Sequence, residues 1–142
     1  EDQVNPKRCG HLDGKAVVDQ DTAVQRIQAA AKARRDPDFV LMARTDIRAV
    51  DSLEATIERA QALVEAGADA IFPEAMKDLS EFEAVASALD VPVLANMTEF
   101  GKSELFTVQQ LQDAGVSMVI YPVSAQRAAM GAVERLLDTI RQ

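Results

Sequence analysis

The chain is poor in the residues that support several classes of function. It has one cysteine, one histidine and no tryptophan among 142 residues. A single cysteine excludes a disulfide within the chain, and it leaves too few ligands for a structural zinc site, which takes four. No segment resembles a signal peptide or an apolar run long enough to cross a membrane. The sequence therefore predicts a protein of the reducing cytoplasm.

Positive charge is also scarce. Lys and Arg number 15 against 23 Asp and Glu, which gives a formal net charge of -8, and the basic residues do not cluster. Neither nucleic acid nor an anionic membrane is therefore expected as a partner. The length, with 48% hydrophobic residues, is enough for one domain with a real core.

What the chain does contain is an alternation of short apolar runs with amphipathic segments. The apolar runs predict strands at 39–43, 70–72, 91–95 and 117–121. Helices are expected to begin at the caps Asp21, Asp51, Ser80 and Ser124, and a short one is expected at about 107–114. Gly67 is predicted to end the second helix.

Such an alternation specifies an α/β fold with a parallel sheet, either doubly wound or closed as a (β/α)8 TIM barrel. No glycine-rich phosphate loop follows a strand, and the regular order favours the barrel. A full barrel needs about 250 residues and eight strands, of which this chain supplies about half. We expect one partial TIM-barrel domain over 1–142, with an active-site loop at 1–20 and four strand–helix units at 21–142. The first residue is Glu1 rather than methionine, which suggests a processed or truncated piece.

The segment 7–11, Lys-Arg-Cys-Gly-His, holds the only cysteine and the only histidine. A thiol acts as a nucleophile or proton carrier as thiolate, which neighbouring cations and an imidazole favour. Under the alternative interpretation, Cys9 is a small buried hydrophobic residue without a chemical role.

Polar side chains follow each predicted strand: Arg44, Glu74, Asn96 with Thr98, and Tyr121 with Arg127 in the next helix. In a barrel, the carboxyl ends of the strands converge on one cup. Cations and hydrogen-bond donors there suit a small carboxylate ligand, and the start of the last helix at Ser124 adds an anion-attracting feature.

These segments, taken together, resemble the isocitrate lyase and phosphoenolpyruvate mutase superfamily. The motifs that carry the resemblance cover nearly the whole chain: Glu-Asp-Gln-Val at 1–4, Lys-Arg-Cys-Gly-His at 7–11, Met-Ala-Arg-Thr-Asp at 42–46, Phe-Pro-Glu-Ala at 72–75 and Leu-Ala-Asn-Met-Thr-Glu-Phe-Gly at 94–101. With Arg8 in the cysteine motif, the chain is most similar to the 2-methylisocitrate lyases.

The resemblance implies a Mg²⁺-dependent carbon–carbon lyase that cleaves 2-methylisocitrate to pyruvate and succinate in propionate catabolism, and a homo-oligomer, dimer or tetramer, at full length. It assigns proton transfer to Cys9, supported by Lys7 and His11, and places Glu1 at the metal site. The implied substrate-binding residues are Gly10, Arg44, Glu74, Asn96, Met97, Thr98 and Arg127. The principal metal-binding aspartates of the superfamily lie in the first half of its barrel, so the isolated chain is expected to be inactive. The alternatives are an oxaloacetate decarboxylase, a phosphonate mutase or hydrolase, or a non-catalytic half-barrel remnant or interaction module.

Overall fold

A computed structural model of the chain describes residues 1–9, 12–101 and 103–142. The predicted site residues Gly10 and His11 lie outside the described residues. The elements in chain order are α1 (Gln20–Ala33), β1 (Met42–Thr45), a 3-10 helix (Ile47–Ala49), α2 (Leu53–Glu65), β2 (Ala70–Pro73), α3 (Leu79–Ser87), β3 (Leu94–Asn96), α4 (Val108–Asp113), β4 (Met118–Ile120) and α5 (Ser124–Arg141).

The four strands are parallel and lie side by side in chain order. β1 pairs with β2 from Met42↔Ala70 onward, and β3 pairs with β4 from Leu94↔Met118 onward. A single parallel bridge, Ile71↔Val93, joins the two pairs. The strand order thus shows no reversal, whereas a doubly wound sheet has a switch point. The predicted α/β class is confirmed, and the order of the described strands is that of a singly wound sheet.

The first strand begins later than its apolar run predicted. Phe39 and Val40 are 63% and 62% exposed, and pairing starts at Met42. Phe39 instead closes a turn by donating its N–H to the carbonyl of Asp36, while Asp69 accepts the N–H of Leu41. Arg44 and Thr45, predicted to follow the strand, are its last two residues.

The third and fourth strands are shorter than predicted, because continuous ladder pairing covers only part of each apolar run. β3 lacks the predicted residues 91–93, where Pro92 has no N–H to donate and uses its carbonyl to accept from Ile71. β4 ends at Ile120, so Tyr121 lies outside it and is half exposed.

Helix caps differ from the predicted ones by one or two residues. Asp19 caps α1, Ser52 caps α2 and Asp78 caps α3, each accepting a backbone N–H three residues on. The predicted caps Asp21, Asp51 and Ser80 were wrong because another acceptor reaches the free N–H groups, two residues earlier in α1 and α3 and one residue later in α2. Ser124 is also not a cap: it is the first residue of α5, and Val123 precedes it with a left-handed φ of 56°.

Two apolar clusters form the core on the helix side of the sheet. One joins α1 and α2 to β1 and β2 around Leu63 and Ile71, and the other joins α3 and α4 to β3 around Phe82, Val85 and Leu111. Gly67 ends α2 as predicted, with φ +108°, and a Cβ there would lie 2.8 Å from the Cβ of Ala31. This close approach lets α2 pack against α1.

The last helix contributes nothing to these clusters. α5 has no buried residue, and its apolar stripe is between 47% and 70% exposed: Met130, Val133, Leu136, Leu137 and Ile140. Within the described residues, no helix is both long and apolar enough to cross a membrane.

Candidate active site

A cavity of about 480 Å³ opens at the carboxyl ends of the four strands. It collects side chains from every strand end together with the thiol of the N-terminal loop. Its lining is Cys9, Arg44, Phe72, Glu74, Asn96, Thr98, Glu99, Phe100, Ile120, Pro122, Val123 and Arg127. Six residues that the sequence predicted for one site thus share one cavity: Cys9, Arg44, Glu74, Asn96, Thr98 and Arg127.

Cys9 is exposed on the loop that follows the first residues of the chain. The antiparallel bridge Gln3↔Val17 closes this loop at its base. The side chain of Gln3 accepts the N–H of Arg8 at 2.9 Å and donates to the carbonyl of Arg8 at 3.0 Å. The backbone of Arg8, directly before Cys9, is therefore held by the side chain of Gln3 through both its N–H and its carbonyl group.

Arg44, at the end of β1, lies among three carboxylates. Its Nε and Nη2 donate to the two oxygens of Asp46 at 2.8 and 3.0 Å, and its Nη1 lies 3.2 Å from Glu74. The third carboxylate, of Glu1, is 3.6 Å from Nε. Burial alone would lower the pKa of Arg44, but the Asp46 hydrogen bonds and the carboxylate charges outweigh it and raise that pKa. The guanidinium is thus permanently cationic at the cavity wall.

Asp46 is fully buried and forms ion pairs with two cationic side chains. Besides Arg44, its Oδ1 accepts from the Nζ of Lys15 at 2.9 Å. Burial raises the pKa of Asp46, but the hydrogen bonds from Arg44 and Lys15 and their charges bring it below the ordinary value. The backbone N–H of Asp46 donates to Asp2, which also accepts from Thr45 and Arg59.

Glu74 and Asn96 occupy the ends of the two central strands. Glu74 is 2% exposed, and the Nδ2 of Asn96 approaches its Oε2 at 3.4 Å. The Oδ1 of Asn96 is buried and accepts no hydrogen bond from the described residues. A buried acceptor without a donor is costly, and a ligand hydroxyl in the cavity would satisfy it.

Arg127 enters the cavity from the first turn of α5. Its Nη1 donates to the carboxylate of Glu99 at 2.8 Å and to the Glu99 carbonyl at 3.2 Å. Its guanidinium lies 5.3 Å from the ring centre of Phe100, which is 93% exposed. The hydrogen bond from Arg127 lowers the pKa of Glu99. Arg127 supplies a second cation across the cavity from Arg44.

Three other predicted residues lie elsewhere. The side chain of Met97 is in the core, 1% exposed, with its sulfur accepting from the N–H of Phe106, so a contact between Met97 and substrate stays a prediction. Lys7 forms an ion pair with Glu1 at 3.1 Å. Glu1 lines a smaller neighbouring cavity of about 250 Å³ that also reaches Arg44.

The described residues do not by themselves fit a metal ion. No group of three or more His, Cys, Asp or Glu residues among them could hold one. Glu1, the predicted metal residue, faces two cations, Lys7 at 3.1 Å and Arg44 at 3.6 Å. A divalent ion bound through oxygen ligands would need donors beyond this set.

Sequence reasoning missed Asp46, Lys15 and Gln3, which hold the predicted site residues in place. Asp46 stands two residues after Arg44, and that spacing was a usable signal. Lys15 lies 31 residues from its partner Asp46, and no local pattern connects them.

Comparisons with known proteins agree with this geometry. The chain is 56% identical to a probable 2-methylisocitrate lyase 2 of Corynebacterium glutamicum over 99% of its length, and 54% identical to the 2-methylisocitrate lyase of Escherichia coli over 100%. It covers 46% and 48% of those proteins, so the chain spans about half the length of the curated relatives it matches.

Solved structures give the same result. Oxaloacetate acetylhydrolase in complex with 3,3-difluorooxalacetate matches with a TM-score of 0.91 and 37% identity, over 99% of this chain and 48% of that one. The trigonal crystal form of 2,3-dimethylmalate lyase, a member of the PEP mutase/isocitrate lyase superfamily, matches with a TM-score of 0.89 and 36% identity, over the same shares. The phosphoenolpyruvate phosphomutase family model matches residues 1–141, and the chain belongs to this family.

Proposed function

We propose that this chain forms about half of a (β/α)8 TIM-barrel carbon–carbon lyase that cleaves 2-methylisocitrate to pyruvate and succinate. The identity to 2-methylisocitrate lyases supports the substrate, and the singly wound strand order supports the barrel. The remaining strands would pair with the free edges of β1 and β4 and would cover the apolar stripe of α5.

The observation that carries the proposal is the convergence of Cys9 with two cations and an amide on one cavity. Arg44 and Arg127 bind substrate carboxylates, and the buried Oδ1 of Asn96 accepts a hydroxyl. Glu74 orients Arg44 and Asn96, and Thr98 adds a hydroxyl contact.

The chemistry is a retro-aldol cleavage. The substrate hydroxyl gives its proton to a carboxylate of the cavity, for which Glu74 stands beside Asn96, and its oxygen becomes the carbonyl of pyruvate. The carbon–carbon bond breaks and leaves its electron pair on the succinate carbon. Cys9 donates the proton that this carbon takes up, and the adjacent carboxylate shares its charge before transfer. Glu74 and Cys9 return to their starting protonation states by exchange with solvent. The exposed position of Cys9 on the cavity lining suits this step.

We further propose Mg²⁺ as the cofactor, a cytoplasmic location and a homo-oligomer at full length. The ion would stabilise the charge that develops on the pyruvate half. Since the described residues do not form a metal site, its principal oxygen ligands would come from outside this chain, and Glu1 would contribute through water.

The matched structures keep related chemistry open, because one protein is an oxaloacetate acetylhydrolase and another a 2,3-dimethylmalate lyase. All of these names denote small acids, and an oxaloacetate decarboxylase remains the nearest alternative. A phosphonate mutase or hydrolase, or a non-catalytic module, is less well supported by a cavity that pairs a thiol with two arginines.

The test is a chimera in which this chain replaces the matching segment of the E. coli enzyme, to which it is 54% identical. Pyruvate release from 2-methylisocitrate is measured with Mg²⁺, with oxaloacetate and 2,3-dimethylmalate as competing substrates. We expect turnover in the ordinary enzyme range of roughly 1 to 1000 per second with 2-methylisocitrate. A folded chimera that cleaves only one of the other acids would replace the proposed substrate, and a folded chimera without any turnover would overturn the proposal.

A further inference from the structure

The segment from Val4 to Ala16 is here named the Cys9 loop, and its described residues include one deeply buried side chain, that of Lys15. Most of the described loop is exposed, including Cys9, whereas the side chain of Lys15 is 1% exposed. Backbone hydrogen bonds close the base of the loop, from Val4 to Ala16 at 3.0 Å and from Val18 to Asp2 at 2.9 Å. The side chain of Lys15 therefore extends from a surface loop into the protein interior.

An ammonium group is rarely buried in this way without a compensating charge. Lysine normally keeps its head group in water while its stem packs below. Here the Nζ of Lys15 lies 2.9 Å from the Oδ1 of Asp46, whose side chain is 0% exposed. The desolvation cost of both groups requires a well-formed ion pair, so the position of this lysine is narrowly defined.

Asp46 links Lys15 to Arg44, which lines the cavity. Its Oδ1 accepts from Lys15 and also from Arg44, at 2.9 and 3.0 Å. The backbone of Asp46 is held as well, because its N–H donates a hydrogen bond to the carboxylate of Asp2. One buried oxygen thus holds the Cys9 loop and the anion-binding guanidinium in a set relation.

We infer that Lys15 is a positioning residue, whose ion pair with Asp46 fixes the Cys9 loop relative to Arg44 at the cavity. The anchoring of the Cys9 loop is inferred from the contacts of Lys15 and Asp46. Only its effect on proton transfer by Cys9 rests on the proposed function. The effect is local to the loop, because Asp46 keeps a bidentate partner in Arg44 when Lys15 is removed. The core is then not left with an unpaired carboxylate.

The test replaces the lysine by a residue of similar length without charge, Lys15→Met. Lys32→Met, an exposed lysine of α1, is the matched control. Amide hydrogen exchange is followed at Val4, Arg8 and Val18, and a nitroxide on Cys9, the only cysteine, reports loop mobility. We expect exchange at these amides to rise about tenfold or more and the nitroxide to become more mobile in Lys15→Met alone, with strand amides such as that of Ile71 unchanged.

Lys15→Gln, which keeps a donor for Asp46, is expected to restore part of the protection. Unchanged loop exchange in Lys15→Met would overturn the inference. Loss of cooperative unfolding in both Lys15 variants would also overturn it, since Lys15 would then be a general stabiliser of the domain.

In the chimera, Lys15→Met is expected to lower kcat by about tenfold or more while KM changes less than about threefold. Here a loosened loop with unchanged kcat would show that Lys15 anchors the loop without serving catalysis. If the unaltered chimera lacks activity, the exchange result still decides the anchoring, so failure of the proposed function is distinguishable from failure of this inference.

Discussion

Cys9 is the residue on which the proposed chemistry depends, and serine tests it most closely. Cys9→Ser keeps the size and the hydrogen bonding of the side chain but provides a much weaker acid. In the chimera, proton transfer is expected to slow by roughly 100-fold or more. The contacts of Arg44, Asn96 and Arg127 remain, so binding of succinate is expected to change little.

Three measurements on one preparation separate this role from simple packing: turnover, succinate binding and melting temperature. A proton donor gives low turnover with intact binding and melting. A Cys9→Ser enzyme that melts earlier but turns over normally would assign Cys9 to packing instead.

Asp46 makes the folded state sensitive to acid. Its pKa in the folded chain is below the ordinary 3.8 because Arg44 and Lys15 outweigh burial. A lowered carboxyl pKa contributes stability that is complete above the unfolded pKa and is lost as the pH falls through the folded one. We therefore expect Asp46→Asn to be less stable at pH 7, by about 3 kcal/mol, and to show a shallower decline below about pH 4.

The measurement is the unfolding midpoint in urea between neutral and acid pH, with Asp138→Asn on the exposed face of α5 as control. The control is expected to follow the parent at every pH. An Asp46→Asn profile parallel to that of the parent would show that Asp46 does not drive the acid response.

At the residue scale, the sequence could predict those site residues that stand at a recurring position of the fold, the carboxyl end of a strand. Arg44, Glu74, Asn96 and Thr98 were predictable because parallel strands bring their carboxyl ends to one edge. The anchoring pair of Lys15 and Asp46 was not, because it links residues 31 positions apart and leaves no periodic signal.

At the scale of elements, the junction of β4 and α5 stores backbone strain next to Arg127. Val123 has φ 56° and ψ 5°, a left-handed conformation that a β-branched residue adopts at a cost of about 1 to 3 kcal/mol. Glycine removes that strain but loses more entropy on folding. Val123→Gly is therefore expected to stabilise the chain by up to about 1 kcal/mol.

Ala132→Gly, at an exposed position within α5, is the control for the entropy of glycine and is expected to cost about 1 kcal/mol. Urea unfolding of both variants gives the comparison. Equal destabilisation by the two glycines would mean that Val123 is not strained.

Element type was predictable where element ends were not. Every predicted strand and helix exists, because apolar runs and helical stripes report burial on one or both faces. The caps shifted because several acceptors compete near each helix start: Asp19 stands before Asp21, and Ser52 follows Asp51. Which acceptor caps the helix depends on the geometry at the free N–H groups, and the residue types near the helix start do not determine that geometry.

At the scale of the whole molecule, the sequence predicted parallel strands and a helix-covered face, and the strand order agrees. The described structure also leaves apolar surface uncovered. β1 and β4 are the outer strands of the described sheet, and the stripe of α5 remains exposed. α5 follows β4 directly along the chain.

The 142-residue chain is accordingly expected to self-associate, because unpaired strand edges and a contiguous apolar stripe both favour contact with another copy. Sedimentation over about a hundredfold range of concentration should show the average mass rising with concentration.

Leu137→Gln combined with Ile140→Gln removes two of the exposed apolar side chains and is expected to weaken the association. Glu134→Gln combined with Asp138→Asn changes the same helix without touching the stripe and should leave its apolar contribution intact. If both double variants associate like the parent, the strand edges drive the contact. A parent that stays monomeric throughout, with one sharp unfolding transition, would show that the chain folds stably without another copy.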